Sequence, residues 1–161
     1  MRIMLDRATQ FLRHLSLVGL RAGRLMYRNP SEAIMIARMA VWVTLVSFGA
    51  RTLTLPQLLK LTAPSPRRRP SIAREALETG LARSVDSLLG INLLVFKPVC
   101  WKRAIVLQRY LALNGIRTRI VFGVKNAGDQ LLAGHAWLED GNQPLLETEA
   151  PRYTITYAFP D

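Results

Sequence analysis

At Asn114-Gly115 the hydrophobic period of this 161-residue chain changes. Ahead of that dipeptide, apolar side chains recur three and four residues apart, the spacing of a helix face. Beyond it they recur at every second residue, the spacing of a half-buried strand. "IRTRIVFGV" (116–124), "LLAGHAWLE" (131–139), "PLLETE" (144–149) and "YTITYAF" (153–159) read as four strands joined by short turns. Strands so close in sequence pair as an antiparallel meander. A meander has one apolar face, which must be covered. The nearest cover is the helix that Pro98 opens and Asn114-Gly115 stops. The predicted class is therefore α+β.

The first half is predicted to be helical. Ile3, Leu5, Ala8, Leu12, Leu15 and Val18 mark one helix over 3–27. Asn29, Pro30 and Glu32 supply a cap, a first-turn proline and a capping-box acid for a second, from about Pro30 to Phe48, with Gly49 ending it. Thr54-Leu55-Pro56 opens a short third segment to about Leu61. "TAPSPRRRPS" (62–71), with three prolines and a run of three arginines, reads as an extended, solvated linker. Ser71 can cap a fourth helix, 72–89, before the extended approach "INLLVFKPVC". The expected organisation is a helical region 1–61, a linker 62–71 and a core 72–161.

Composition removes several function classes. A single cysteine forbids an internal disulfide framework, and one Cys with two distant His cannot build a structural zinc site. A lone thiol suits a reducing compartment, and no signal peptide is visible, so the expected location is the cytoplasm. The net charge of +11 is lopsided: residues 1–71 carry 12 basic and 2 acidic side chains, residues 125–161 carry 2 and 6. Such a basic half suits a solvated face or an anionic partner, including peripheral contact with an anionic membrane. The apolar run 33–50 is broken by Arg38, which leaves 12 uncharged residues after it. That length favours a buried core helix over a membrane span.

Two stretches speak about chemistry. In "FKPVCWKRA" the only cysteine, Cys100, falls in the first turn of the 98–113 helix. The partial positive charge and free N–H groups of a helix N-terminus stabilise a thiolate and can hold an oxyanion. Lys102 and Arg103 add positive potential. In "AGHAWLEDG" His135 lies on the second strand, with Gly134 and Gly123 leaving room beside it. The other histidine, His14, reads as a surface residue of the basic first helix. A thiol needs a base, and a base needs a carboxylate to hold its tautomer. If "DGN" (140–142) is a three-residue loop, Glu139 pairs with Gln143, Trp137 with Leu145 and His135 with Glu147. Glu147 is then the orienter, with Glu149 replacing it if the register slips by two. Asp140 serves the turn.

Cysteine, histidine and acid in that order resemble the transglutaminase-like branch of the papain-like fold. More closely, "CWKRAIVLQRYLALNGIRTRIVFGV…GHAWLEDG" resembles the leader peptidases of lasso-peptide biosynthesis, through Cys100, Arg103-Ala104, Leu107, Gly115-Ile116, Arg119, Gly123-Val124, His135 to Glu139 and Gly141. The likeness covers roughly 97–150. It implies a nucleophile, Cys100, a base, His135, and a third member at Glu147, where the family usually has Asp. No Gln precedes Cys100 at the place of a papain-like oxyanion donor, so the second donor has no candidate.

The resemblance implies a thiol protease that removes the leader from a ribosomally made precursor before macrolactam closure. It implies the split form, without a fused recognition domain. The partners would be a separate leader-recognition protein and an asparagine-synthetase-like cyclase. No cofactor or metal is expected on the chain itself, ATP entering only through the cyclase, and nucleic acid is not an expected partner. The rivals are a transglutaminase-like acyltransferase or amidase, and a basic helical adaptor with an inactive catalytic domain.

Overall fold

The computed structural model describes residues 29–63, 73–92, 94–126, 132–147 and 152–160. The expected 3–27 helix with His14, most of the 62–71 linker with its Ser71 cap, and Glu149 lie outside them. The described elements are α1 (Pro30–Thr52), α2 (Leu55–Thr62), α3 (Arg74–Leu89), α4 (Cys100–Leu113), β1 (Arg119–Asn126), β2 (Leu132–Asp140), β3 (Gln143–Leu145) and β4 (Thr154–Phe159). The strands form one antiparallel sheet in the order β3-β2-β1-β4. The fold is α+β, as the change of period requires.

The chain divides into two compact units, Met1–Ala40 and Val41–Asp161, with the division inside α1. Of the first, residues 29–40 are described. Asn29 Oδ1 accepts from the Glu32 N–H at 3.5 Å, as an N-cap does, while the Glu32 carboxylate accepts from the Asn29 side-chain amide at 3.1 Å where a capping box would use the backbone N–H.

In the second unit α1 continues past Gly49 to Thr52, further than the glycine suggested. Gly49 serves a close approach instead. A Cβ there would come within 2.8 Å of Leu58 Cδ1 on α2, so glycine admits that side chain where it lies and a larger residue would make it shift. The expectation of a buried core helix holds for part of α1. Met39, Val43 and Val46 are buried, whereas Ile34, Val41, Leu45 and Phe48 stand more than half exposed. By length and mean hydropathy (1.8) α1 meets the criterion for a membrane-crossing helix, with 22% of its most apolar window buried. Thr54 and Gln57 cap α2, the Gln57 side chain accepting from the Thr54 N–H at 3.0 Å.

α4 is the hub. Ala104 through Leu107 and Leu111 are almost fully buried around its circumference, and it packs on α2, α3, β1 and β2. Its Arg109 lays the guanidinium 3.6 Å from the centre of the Trp42 ring and donates to the Thr62 carbonyl at 2.9 Å. Residues on both sides of the Pro/Arg-rich stretch therefore belong to one compact unit. At its end Gly115 takes φ +83°, its N–H bonding Ala112 O, while the Ile116 N–H bonds Leu111 O. This is a Schellman stop, and it turns the chain directly into β1.

Neighbouring strand residues point to opposite faces. Ile120 and Val121 are both fully buried, and Trp137 and Leu138 nearly so. At this level the sheet is covered on both faces, not only the one that a single helix would cover. The ring of Tyr153, just before β4, lies 6.0 Å from that of Trp137.

Candidate active site

Cys100 is the first residue of α4, following Val99 in extended conformation, and is partly exposed. The helix begins two residues later than Pro98 suggested, which puts the thiol among the unbonded N–H groups of the opening turn. The neighbouring cations are committed. Lys102 is buried with Nζ donating to the Val95 carbonyl at 2.9 Å. Burial and the nearby Lys97 and Arg51 charges hold its pKa below the ordinary lysine value. Arg103 Nε donates to Asp86 of α3 at 2.7 Å.

His135 pairs with Gly123 across β1–β2. Its ring stacks on Trp137 (centroids 5.9 Å apart, planes 16° apart) and lies 5.4 Å from Tyr153. Gly123 makes room for this cluster, because a Cβ there would sit 2.7 Å from Tyr153 Cβ and 3.0 Å from the Trp137 ring. Trp137 is anchored by its indole N–H, which donates to the buried Glu139 carboxylate at 3.0 Å, and Arg119 holds Glu139 at 2.7 Å. Glu139 is thus occupied with Trp137 and Arg119. Asp140 ends β2 and pairs with Arg74 of α3.

The carboxylate beside His135 is Glu147, whose Oε2 lies 3.4 Å from His135 Nε2. It arrives there by another route than the three-residue loop. The hairpin turns on two residues, Gly141 and Asn142, with Asp140 opposite Gln143, Glu139 opposite Pro144 and Leu138 opposite Leu145. Gly141, at φ +60°, takes the first position of the turn, where type II′ hairpins put glycine. A register one residue away from expectation would send Glu147 to the wrong face. β3 stops at Leu145, however, and Leu146 adopts φ +60°. That left-handed residue takes the chain out of the ladder and returns Glu147 to the imidazole. Its other oxygen, Oε1, lies 3.9 Å from Arg103 Nη1. Arg103 stands one turn beyond Cys100 on α4. Its two carboxylate partners could not be read from spacing.

Cys100 and His135 border one cavity of about 540 Å³. Trp101, Phe122, Gly134, Ala136 and Tyr157 line it, and Ala50 at the end of α1, Leu53 in the link after it, and Leu55 and Leu58 of α2 close one side. Periodicity had no means of finding that last wall, because it lies more than 40 residues upstream of the thiol. β4 bulges at this level. Phe122 pairs with Tyr157 and Gly123 with Ile155, leaving Thr156 as the extra residue, its hydroxyl donating to Phe122 O at 3.2 Å. Among the described residues no group of three or more His, Cys, Asp or Glu side chains is placed to hold a metal ion.

An antiparallel sheet packed on a helix that starts with a partly exposed cysteine, with a strand histidine beside a carboxylate and bordering the same cavity, defines an α+β fold. The family model of the transglutaminase-like superfamily matches residues 39–158. The chain belongs to that superfamily, whose members are in general cysteine-type enzymes. Neither a curated protein nor a solved structure matched the chain.

Proposed function

We propose that the chain is a cysteine peptidase that removes the leader from a ribosomally made lasso-peptide precursor, with Cys100 as nucleophile, His135 as base and Glu147 as orienter. The observation that carries this reading is the 3.4 Å approach of Glu147 to His135 Nε2, on a ring that borders the same cavity as Cys100. With Nε2 held, Nδ1 is the nitrogen left for the thiol proton. The thiolate attacks the scissile carbonyl, and the helix N–H groups of α4 stabilise the oxyanion. The C–N bond breaks as His135 returns the proton to the leaving amine. Water, deprotonated by the same ring, then hydrolyses the thioester and restores the thiol.

In this proposal the protein works in the cytoplasm, beside a separate leader-recognition protein and an ATP-dependent, asparagine-synthetase-like cyclase, and binds no cofactor itself. The superfamily match equally supports a second reading, in which an amine takes the acyl group in place of water.

The test combines purified chain, precursor peptide and recognition protein, with products read by mass spectrometry. A free leader acid that disappears with Cys100→Ala supports the peptidase. A leader joined to an added amine supports the acyltransferase. Precursor left intact, with Cys100 unreactive to iodoacetamide, would return the adaptor reading.

A further inference from the structure

We infer that the cavity beside Cys100 selects an uncharged, bulky apolar side chain on the residue flanking the bond that is attacked. The inference rests on the proposed reading in taking this cavity as the substrate cleft. Its described walls are carbon: Leu53, Leu55, Leu58, Trp101, Phe122 and Val124 all line it, and among the described residues no Asp, Glu, Lys or Arg does. Among the described residues the polar side chains at its surface are Cys100, His135, Thr156 and Tyr157. At about 540 Å³ it falls within the range of small-ligand pockets, with room for a large side chain and the adjoining peptide group. An apolar group gains by leaving water there, whereas a carboxylate or ammonium would lose part of its hydration with no Asp, Glu, Lys or Arg among the described lining residues to offset it.

One side of the selecting wall is built by a segment far in sequence from the reacting groups. Leu58 is 3% exposed and seated against Gly49, so it shapes the floor. Leu55, the first residue of α2 and 36% exposed, stands where a substitution can change the lining without opening the core. An acid is tolerated in the first turn of a helix. Leu55→Glu therefore places a negative charge in the cavity while preserving the fold.

The experiment is protection of Cys100 from iodoacetamide in the full-length chain by four probes: N-acetyl-leucinamide, N-acetyl-phenylalaninamide, N-acetyl-aspartamide and N-acetyl-lysinamide. The two apolar amides are expected to halve the alkylation rate at concentrations about tenfold or more below those needed by the charged pair. In Leu55→Glu the advantage of leucinamide over lysinamide should shrink to about threefold or reverse. Equal protection by all four, protection by none, or a leucinamide advantage in Leu55→Glu as large as in the wild type overturns the inference. The readout needs no turnover. An intact precursor with the protection order preserved would sink the peptidase and leave the inference standing. Cys100-dependent cleavage with no protection order would do the reverse.

Discussion

Glu147 reaches His135 because Leu146 leaves the β region: the carboxylate oxygen lies 3.4 Å from Nε2 only because φ at the preceding residue is +60°. A straight continuation of β3, with Leu138 opposite Leu145, would set Ala136 opposite Glu147 and turn the acid away from the imidazole.

If Glu147 orients the ring, Glu147→Gln lowers kcat/KM for precursor cleavage by roughly 10²- to 10⁴-fold, mostly in kcat, because the tautomer is no longer enforced. Glu147→Asp should recover most of the loss. Glu149→Gln should stay within about threefold of wild type. Steady-state kinetics on the three variants checks the assignment, and a larger loss at Glu149 than at Glu147 would reverse it.

Leu146→Ile conserves every atom but moves the branch to Cβ, where positive φ is least tolerated. It is expected to cost roughly 1–2 kcal/mol in urea unfolding and to reduce activity, as Glu147 shifts. The neighbouring Leu145→Ile, in extended β3, should change stability by less than about 0.5 kcal/mol. Equal effects at the two sites would show that the backbone turn is not what holds the acid.

Gly123 and Gly134 make a matched pair. A Cβ at Gly123 would meet Tyr153 Cβ at 2.7 Å and the Trp137 ring at 3.0 Å, while one at Gly134 would find only Gly123 O, at 4.0 Å. Gly123→Ala is expected to destabilise by about 1–3 kcal/mol through overpacking of the ring cluster around His135. Gly134→Ala should stay within about 0.5 kcal/mol. Thermal melts of the two proteins measure the difference.

Lys102 sets a pH dependence. Its pKa is depressed in the fold, chiefly by burial, so between the folded value and the ordinary one near 10.4 the unfolded chain binds more protons. Stability from this group therefore rises with pH through that window, as the cost of a buried ammonium is relieved. Urea midpoints of wild type minus Lys102→Met should increase from neutral pH toward about pH 10. A flat or falling difference would place the ammonium in water.

Much of the second half was legible from local pattern. Helix and strand differ in period, and Asn114-Gly115 carries the backbone freedom that separates α4 from β1. Cys100 and His135 could be singled out because the chain holds one thiol and two imidazoles. The reach of α1 past Gly49 is not legible in the sequence, because a glycine that ends a helix and one that makes room for Leu58 look the same in one dimension.

A one-dimensional string carries periodicity, capping and composition, since these follow from interactions a few residues apart. From them came the α+β class, a helix with the thiol in its first turn, and an imidazole on the second strand. Hairpin register, the left-handed turn at Leu146 and the wall that α1 and α2 supply to the cavity belong to the folded object. Each depends on contacts distant in sequence or on one dihedral chosen by packing. For Glu147 that choice outweighed the register that counting along the chain implied.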